Sequence, residues 1–335
     1  TYLNQNYDQS GNYGNNMNVE FIMTKEEKAT TLAEYIISQY TGVDGDNGLY
    51  YHDADLANGA GDNSYRYAGA SDEVNNYVCF GSIETPCPAE NLYRIIGVLN
   101  DNGEYQVKLI KSDYTTSAML GTDGRDYEGT VAELGMPTDS YKGNVDTSTI
   151  AAYRWNYDTS VSSNGSNNWT TSEFNTINLN TNYWNYLGAT WQNLIAPTTW
   201  HLGGMPSDNN TAKAFYDGER NNAGFDSNST TYTDEIGLMY VSDYGFAASP
   251  SYWSTDVGSY NSAVNSNWMY MGLYEWTITP YSSNSYDVFC LNLRGYLYFY
   301  YADRGFSVRP VFYLNSNVEY NGGSGTESDP FTLVV

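Results

Sequence analysis

The run Tyr281–Leu314 reads YSSNSYDVFCLNLRGYLYFYYADRGFSVRPVFYL, and its two halves differ in kind. Tyr281–Ser307 is built from Tyr, Ser, Asn and Gly with an occasional Arg or Phe. Antibody paratopes use that mixture, because Tyr supplies rigid amphipathic area and Ser, Gly and Asn supply adaptable hydrogen bonding. Val308–Leu314 is an apolar strand pattern. Within Tyr296–Tyr301 successive side chains alternate between the two faces of a strand. The alternation predicts Leu297 in the core and Tyr296, Tyr298 and Tyr300 on display. A row of exposed tyrosines marks a contact surface. A strand buried on both faces is the plain alternative.

Tyr281–Ser307 also contains no Lys, Glu, Gln, Met or Trp. Those are the residues that a codon ending in a pyrimidine cannot encode. Substituting the adenines of such Asn codons yields only residues of the complementary set. Cys290 belongs to that set, so its unpaired presence fits variation better than chemistry. The codons of the gene test this directly.

Outward from this segment the chain reads as many short strands between Gly-, Asn-, Asp- and Ser-rich loops. Strands are predicted at Tyr93–Leu99, Tyr105–Lys111, Ile236–Val241, Tyr296–Tyr301, Val308–Leu314 and Phe331–Val335. Asn100–Gly103 joins the first two as a hairpin turn. Two short helices are predicted within Thr171–Leu194. Near the start, Thr24 and Glu27 have capping-box spacing. Ala29, Leu32, Ala33, Ile36, Ile37 and Tyr40 follow at helical intervals up to Gly42. An amphipathic helix over 25–41 is predicted, docked on the domain or on a neighbouring subunit. The class is α+β.

The 335 residues carry 39 Asp+Glu against 14 Lys+Arg, a net charge of −25. Nucleic acid and anionic membranes are disfavoured as partners, since both are held by cations. No apolar run is long enough to span a bilayer. Cys79 and Cys87 bracket a short loop and are the disulfide candidates; two buried thiols are the alternative. No phosphate loop, His-Glu-x-x-His or Gly-x-Ser-x-Gly motif occurs. His201 is the one candidate general base. A hydrogen-bonded turn histidine fits it better. Asp53 and Asp55 form a carboxylate pair of a kind that so acidic a chain produces by chance. Asp44-Gly-Asp-Asn-Gly48 with Asp53 and Asp55 suggests calcium, but lacks the glycine and terminal Glu of an EF-hand. A solvated acidic turn is the preferred reading, and no resident metal or cofactor is expected.

Phe306-Ser-Val-Arg-Pro-Val-Phe-Tyr-Leu314, preceded by Gly295, resembles the C-terminal signature of C-type-lectin-like surface proteins of gut Firmicutes. Many of these are similar to the variable proteins of diversity-generating retroelements. Ser307 stands where that signature usually has Gly. Asn91–Val98, Val107–Lys111, Ile236–Gly245, Asn267–Trp276 and the tail from Asn315 to Phe331 extend the resemblance over most of 49–335. It implies a C-type-lectin-like domain over 49–335, with a variable segment at 281–307. Residues 1–48 would be a leader and helix from a membrane-anchored or pilin-like stem. It implies scaffold roles for Phe289, Leu291, Gly295, Leu297, Val308, Arg309 and Pro310, with Arg309 paired to a buried acceptor. It implies a variable ligand face of Tyr281, Asn284, Tyr286, Asp287, Asn292, Arg294, Tyr296, Tyr298, Phe299, Tyr300, Asp303, Arg304 and Phe306. The function implied is that of a non-enzymatic adhesin or receptor-binding head on the bacterial surface. Its partner would be a protein or glycan of a phage, host or neighbouring cell. A pilus or filament subunit that self-assembles through the same face is the alternative.

Overall fold

The computed structural model describes residues 29–335 apart from Asn102 and Ser227. It is a mixed α and β structure of mostly antiparallel strands arranged in several open sheets. The hairpin at its centre follows from sequence: Leu92–Asp101 and Glu104–Lys111 pair antiparallel from Tyr93↔Lys111 to Asp101↔Glu104. The turn is held by Gly103 N–H on Asn100 Oδ1 at 2.8 Å. A bulge falls between Ile95 and Gly97. Gly97 is required there, because a Cβ would come within 2.4 Å of Tyr65 O on the adjoining strand.

That hairpin anchors a seven-stranded sheet. Leu49–His52 and Ser64–Tyr67 lie to one side, and Tyr77–Cys79 also pairs with Leu92–Asp101. On the other side come Val311–Leu314 and then Ile195–Ala196. The late strand is thereby inserted beside the central hairpin. It fixes the segment just before it, which carries the three-stranded sheet Glu275–Pro280, Asp287–Leu291 and Leu297–Tyr301.

The N-terminal helix is shorter than predicted. It runs Leu32–Ser38, with Thr31 and Glu34 closing a capping box. The proposed Thr24–Glu27 box lies outside the described residues. Ala29 and Thr30 are not helical, because the nearer box starts the helix at Leu32. Leu32, Ala33 and Ile36 enter the main core. Tyr35 stacks on Tyr320 at 3.8 Å. The helix therefore docks on this domain. Ile236–Val241 is also not a strand. Gly237 exchanges two 2.9 Å bonds with Val311, and Val241 begins a helix to Ala247. A continuously apolar run does not distinguish a buried strand from a buried helix. In the Thr171–Leu194 stretch a π-helix, Phe174–Tyr183, leads into the α-helix Trp184–Gln192. Cys79 and Cys87 are disulfide-bonded, and Cys290 is buried as a free thiol.

The interior holds charge. Asp243 takes Lys108 Nζ at 2.5 Å and lies 3.6 Å from Arg66, which also pairs with Asp62 at 2.8 Å. Asp243 Oδ2 also caps the Val241–Ala247 helix by accepting Tyr240 N–H at 2.9 Å. Beside it, Glu219 is buried and accepts from Ser242 and Thr279 hydroxyls. Burial pushes its carboxyl up to about 7, against a restraining pull from Arg220. An unfolded Glu titrates near 4.5. The folded chain therefore holds this proton more tightly. The resulting stability is full below about pH 4.5 and is lost as pH rises through about 7. The shift is worth about 3 kcal/mol. Glu219→Gln removes the titration. Its urea stability relative to the parent should rise by about that amount between pH 5 and pH 8. The comparison is needed because buried His52, held neutral, gives a slope of opposite sign below pH 6.5. A constant difference across that window would refute the assignment.

Candidate ligand-binding edge

The sheet Glu275–Pro280, Asp287–Leu291, Leu297–Tyr301 places the Tyr-rich strand at an outer edge. Register runs Leu291↔Leu297, Cys290↔Tyr298, Phe289↔Phe299, Val288↔Tyr300 and Asp287↔Tyr301. Every residue of Asp287–Leu291 is buried, whereas the edge strand is buried only at Leu297. The turn before the edge strand needs Gly295. Its φ is +81°, and a Cβ would lie 2.3 Å from Val264 Cγ1.

The sheet is locked from beneath. Arg309, 1% exposed, donates from Nε to Glu275 Oε1 at 2.7 Å and from a terminal nitrogen to Oε2 at 3.0 Å. The same nitrogen donates to Met269 O at 2.7 Å. Trp276 N–H is held by Ser307 O at 3.2 Å. Phe289, Leu291, Gly295, Leu297, Val308 and Pro310 are all buried.

The display differs from simple alternation. Tyr298 is exposed, as is Tyr301, which alternation had not put on the face; both are 40% exposed. Tyr296 and Tyr300 are half-buried. Tyr300 packs on Tyr274 and Phe306, so the face that alternation predicted to be open is partly filled by rings from other strands. Tyr281 is half-buried and stacks on Phe299 at 4.3 Å. Tyr298 and Phe299, on successive residues, lie parallel at 5.1 Å. Both rings therefore fold sideways past the outer edge instead of standing off opposite faces. The contacts continue Phe289–Tyr281–Phe299–Tyr298–Tyr300–Phe306–Trp276. This belt starts in the core on one side of the sheet and re-enters it on the other.

Three residues assigned to the ligand face are buried. Asp287 accepts Asn284 Nδ2 at 2.7 Å. Asn292 donates to Tyr274 Oη and accepts Arg294 N–H, which forms the turn. Phe306 stacks on Tyr274 at 4.9 Å. Polar side chains that close turns spend their groups on the backbone. Asn284 does the same, accepting N–H from Tyr286 and Asp287. Tyr286 and Asp303 are half-buried, while Arg294 and Arg304 are exposed.

Residues outside the segment complete the site. A cleft of about 380 Å³ is lined by Tyr274, Tyr300, Arg304 and Phe306 together with Glu128 and the Leu134–Pro137 turn. Leu134 and Met136 gave no signal in the sequence, since a turn 150 residues away has no periodicity pointing here. Tyr274 lies in the stretch Asn267–Trp276, where nothing in the sequence marks it as a contact residue.

The other candidates have structural duties. Asp53 Oδ1 accepts the N–H of Asp55 and Leu56. Asp44 accepts from Tyr40 and Tyr51, and Asp46 from Thr41. Among the described residues no three His, Cys, Asp or Glu gather to hold a metal. His201 lies on the strand Thr198–His201, its N–H on Tyr240 Oη at 2.7 Å. No helix among the described residues is long and apolar enough to cross a membrane.

No protein-family model, curated protein or solved structure matches the chain.

Proposed function

We propose that the chain is a non-enzymatic ligand-binding head displayed on a bacterial surface, with a C-type-lectin-like fold and a diversified aromatic face. The observation that carries this reading is the belt of rings wrapped round an edge strand whose inner neighbour is wholly buried. Aromatic side chains offer large contact area at low entropic cost, and they dominate binding when their supports are rigid. Here the support is the Arg309–Glu275 lock and the buried strand Asp287–Leu291. The Cys79–Cys87 bond suits an oxidising, extracellular setting. Against the filament alternative stand the net charge of −25, which makes copies repel, and the rings that fold over the strand edge.

The test uses the two exposed rings. The labelled protein is screened on a glycan array and on a phage-displayed peptide library, beside a Tyr298→Ser/Tyr301→Ser variant. The variant should keep its circular dichroism and lose less than about 1 kcal/mol of stability, because its changes are at the surface. Its hits should weaken at least about 100-fold, as truncating central aromatic anchors does. Hits that survive in the folded variant would place the binding face elsewhere. Sister copies of the gene that vary only at alternate positions of 281–306 would support diversification.

A further inference from the structure

The cleft between the variable segment and the Leu134–Pro137 turn has an unusual balance of groups. Leu134, Met136, Pro137 and Phe306 bring no polar side-chain atom to it. The Tyr274 hydroxyl accepts from Asn292 Nδ2 at 3.2 Å, and its ring packs edge-on against Tyr300. Glu128 is engaged by Arg154 at 3.3 Å. The one charge left at the mouth is Arg304, 60% exposed and 3.8 Å from Asp303.

The rest of the molecule makes that arginine conspicuous. Arg66, Arg94, Lys108, Lys111 and Arg309 are buried. Arg125, Arg154, Lys213 and Arg220 sit beside carboxylates, and Lys142 donates to Val264 O. Arg304 also has a carboxylate beside it, Asp303 at 3.8 Å, but its side chain is more exposed than those four; it and Arg294 flank the edge strand on either side. On a chain of net charge −25, Arg294 and Arg304 are two of the four exposed cations of the described residues, beside Arg125 and Lys142, and they are the two that border the aromatic belt.

We propose that this cleft is an anchor subsite for a protein ligand: it takes one large apolar side chain, with a carboxylate of the same segment on Arg304. This rests on the binding-face reading above and deepens it. A sugar ring in the cleft would set hydroxyls against the side chains of Leu134, Met136, Pro137 and Phe306, each at a cost when left unpaired. An apolar side chain would lose nothing and would displace water from the rings. A carboxylate meets Arg304 in bidentate fashion. The acidic remainder of the surface repels a ligand that presents carboxylates anywhere else, which gives register. Six of the ten residues that line the cleft lie outside 281–307. Variation within the segment would retune one wall while the Leu134–Pro137 wall stays.

The probe is a phage library of random linear dodecapeptides, panned on the intact chain in 150 mM salt. Enriched peptides should share a large apolar residue next to Asp or Glu. Changing that apolar residue to Ala should weaken a synthetic peptide at least about 10-fold, as loss of a buried anchor does. Arg304→Gln should weaken it about 3- to 10-fold and flatten its salt dependence. Met136→Ala, which widens the cleft, should shift selection toward bulkier residues. Arg304 is exposed, so its variant remains informative should Met136→Ala fold poorly. Three outcomes overturn the proposal: no enriched peptide, peptides without an acidic-apolar pair, or peptides indifferent to both variants. Glycan-array hits that depend on Tyr298 and Tyr301 without peptide binding would sink the subsite and leave the binding face standing. Hits of either kind indifferent to those tyrosines would sink both.

Discussion

Arg309→Ala should cost about 3–5 kcal/mol of folding stability, read as a lower urea midpoint. The change strands Glu275, which is 1% exposed and already pushed up by burial against the restraint of Arg309. Without the guanidinium, Glu275 must take a proton or stay charged without a partner, and three hydrogen bonds disappear. Arg309→Lys keeps the charge but not the fork that serves Glu275 and Met269 together, so it should recover little. Arg309→Met with Glu275→Leu should recover most of the loss, since the buried charge goes with its partner. A cost under about 1 kcal/mol for the alanine variant would show the lock is not one.

Asp243→Ala should be at least as damaging, again about 3–5 kcal/mol. It removes the carboxylate 2.5 Å from Lys108, whose side chain is wholly buried among the rings of Trp200, Tyr240 and Tyr313. Arg66 keeps Asp62, so Lys108 bears the loss. The same change uncaps the Val241–Ala247 helix at Tyr240 N–H. Asp243→Asn retains a cap acceptor and should cost less. Asp243→Asn with Lys108→Met should approach the parent, and thermal unfolding of the three variants checks the order. A loss confined to the alanine variant, with both asparagine variants near the parent, would show that the helix cap, not the ion pair, is what Asp243 supports.

The sequence made the central hairpin readable because Asn100–Gly103 is a turn with a mechanism and Tyr105–Lys111 has a period. Val311–Leu314 was legible as an apolar strand. Its place beside Glu104–Lys111 was not, because sheet order is a long-range fact. The helix start was misplaced because two capping boxes, Thr24–Glu27 and Thr31–Glu34, are spaced alike in letters. Ile236–Val241 misled because full burial erases the period that separates strand from helix. Tyr296–Tyr301 was legible as a strand, and Leu297–Tyr301 is one, but its place at a sheet edge was not, and which rings face solvent depends on Tyr274 and Phe306 filling one side. The resemblance implied that Asp287, Asn284 and Asn292 belong to the ligand face. The structure spends them on turns, a choice that composition cannot reveal. The cleft wall from Leu134 to Pro137 needed coordinates, since nothing local announces it.

The buried cations have a consequence for how the molecule behaves in a crowd. Withdrawing Arg66, Arg94, Lys108, Lys111 and Arg309 from the surface leaves an exterior dominated by carboxylates. Such a coat resists adventitious adsorption to cell walls, nucleic acid and other acidic proteins. A part-exposed aromatic belt on a neutral protein would foul. If the proposed binding face is correct, this coat would keep it clean until a partner brings both the shape to fit the rings and the charge to reach past the repulsion.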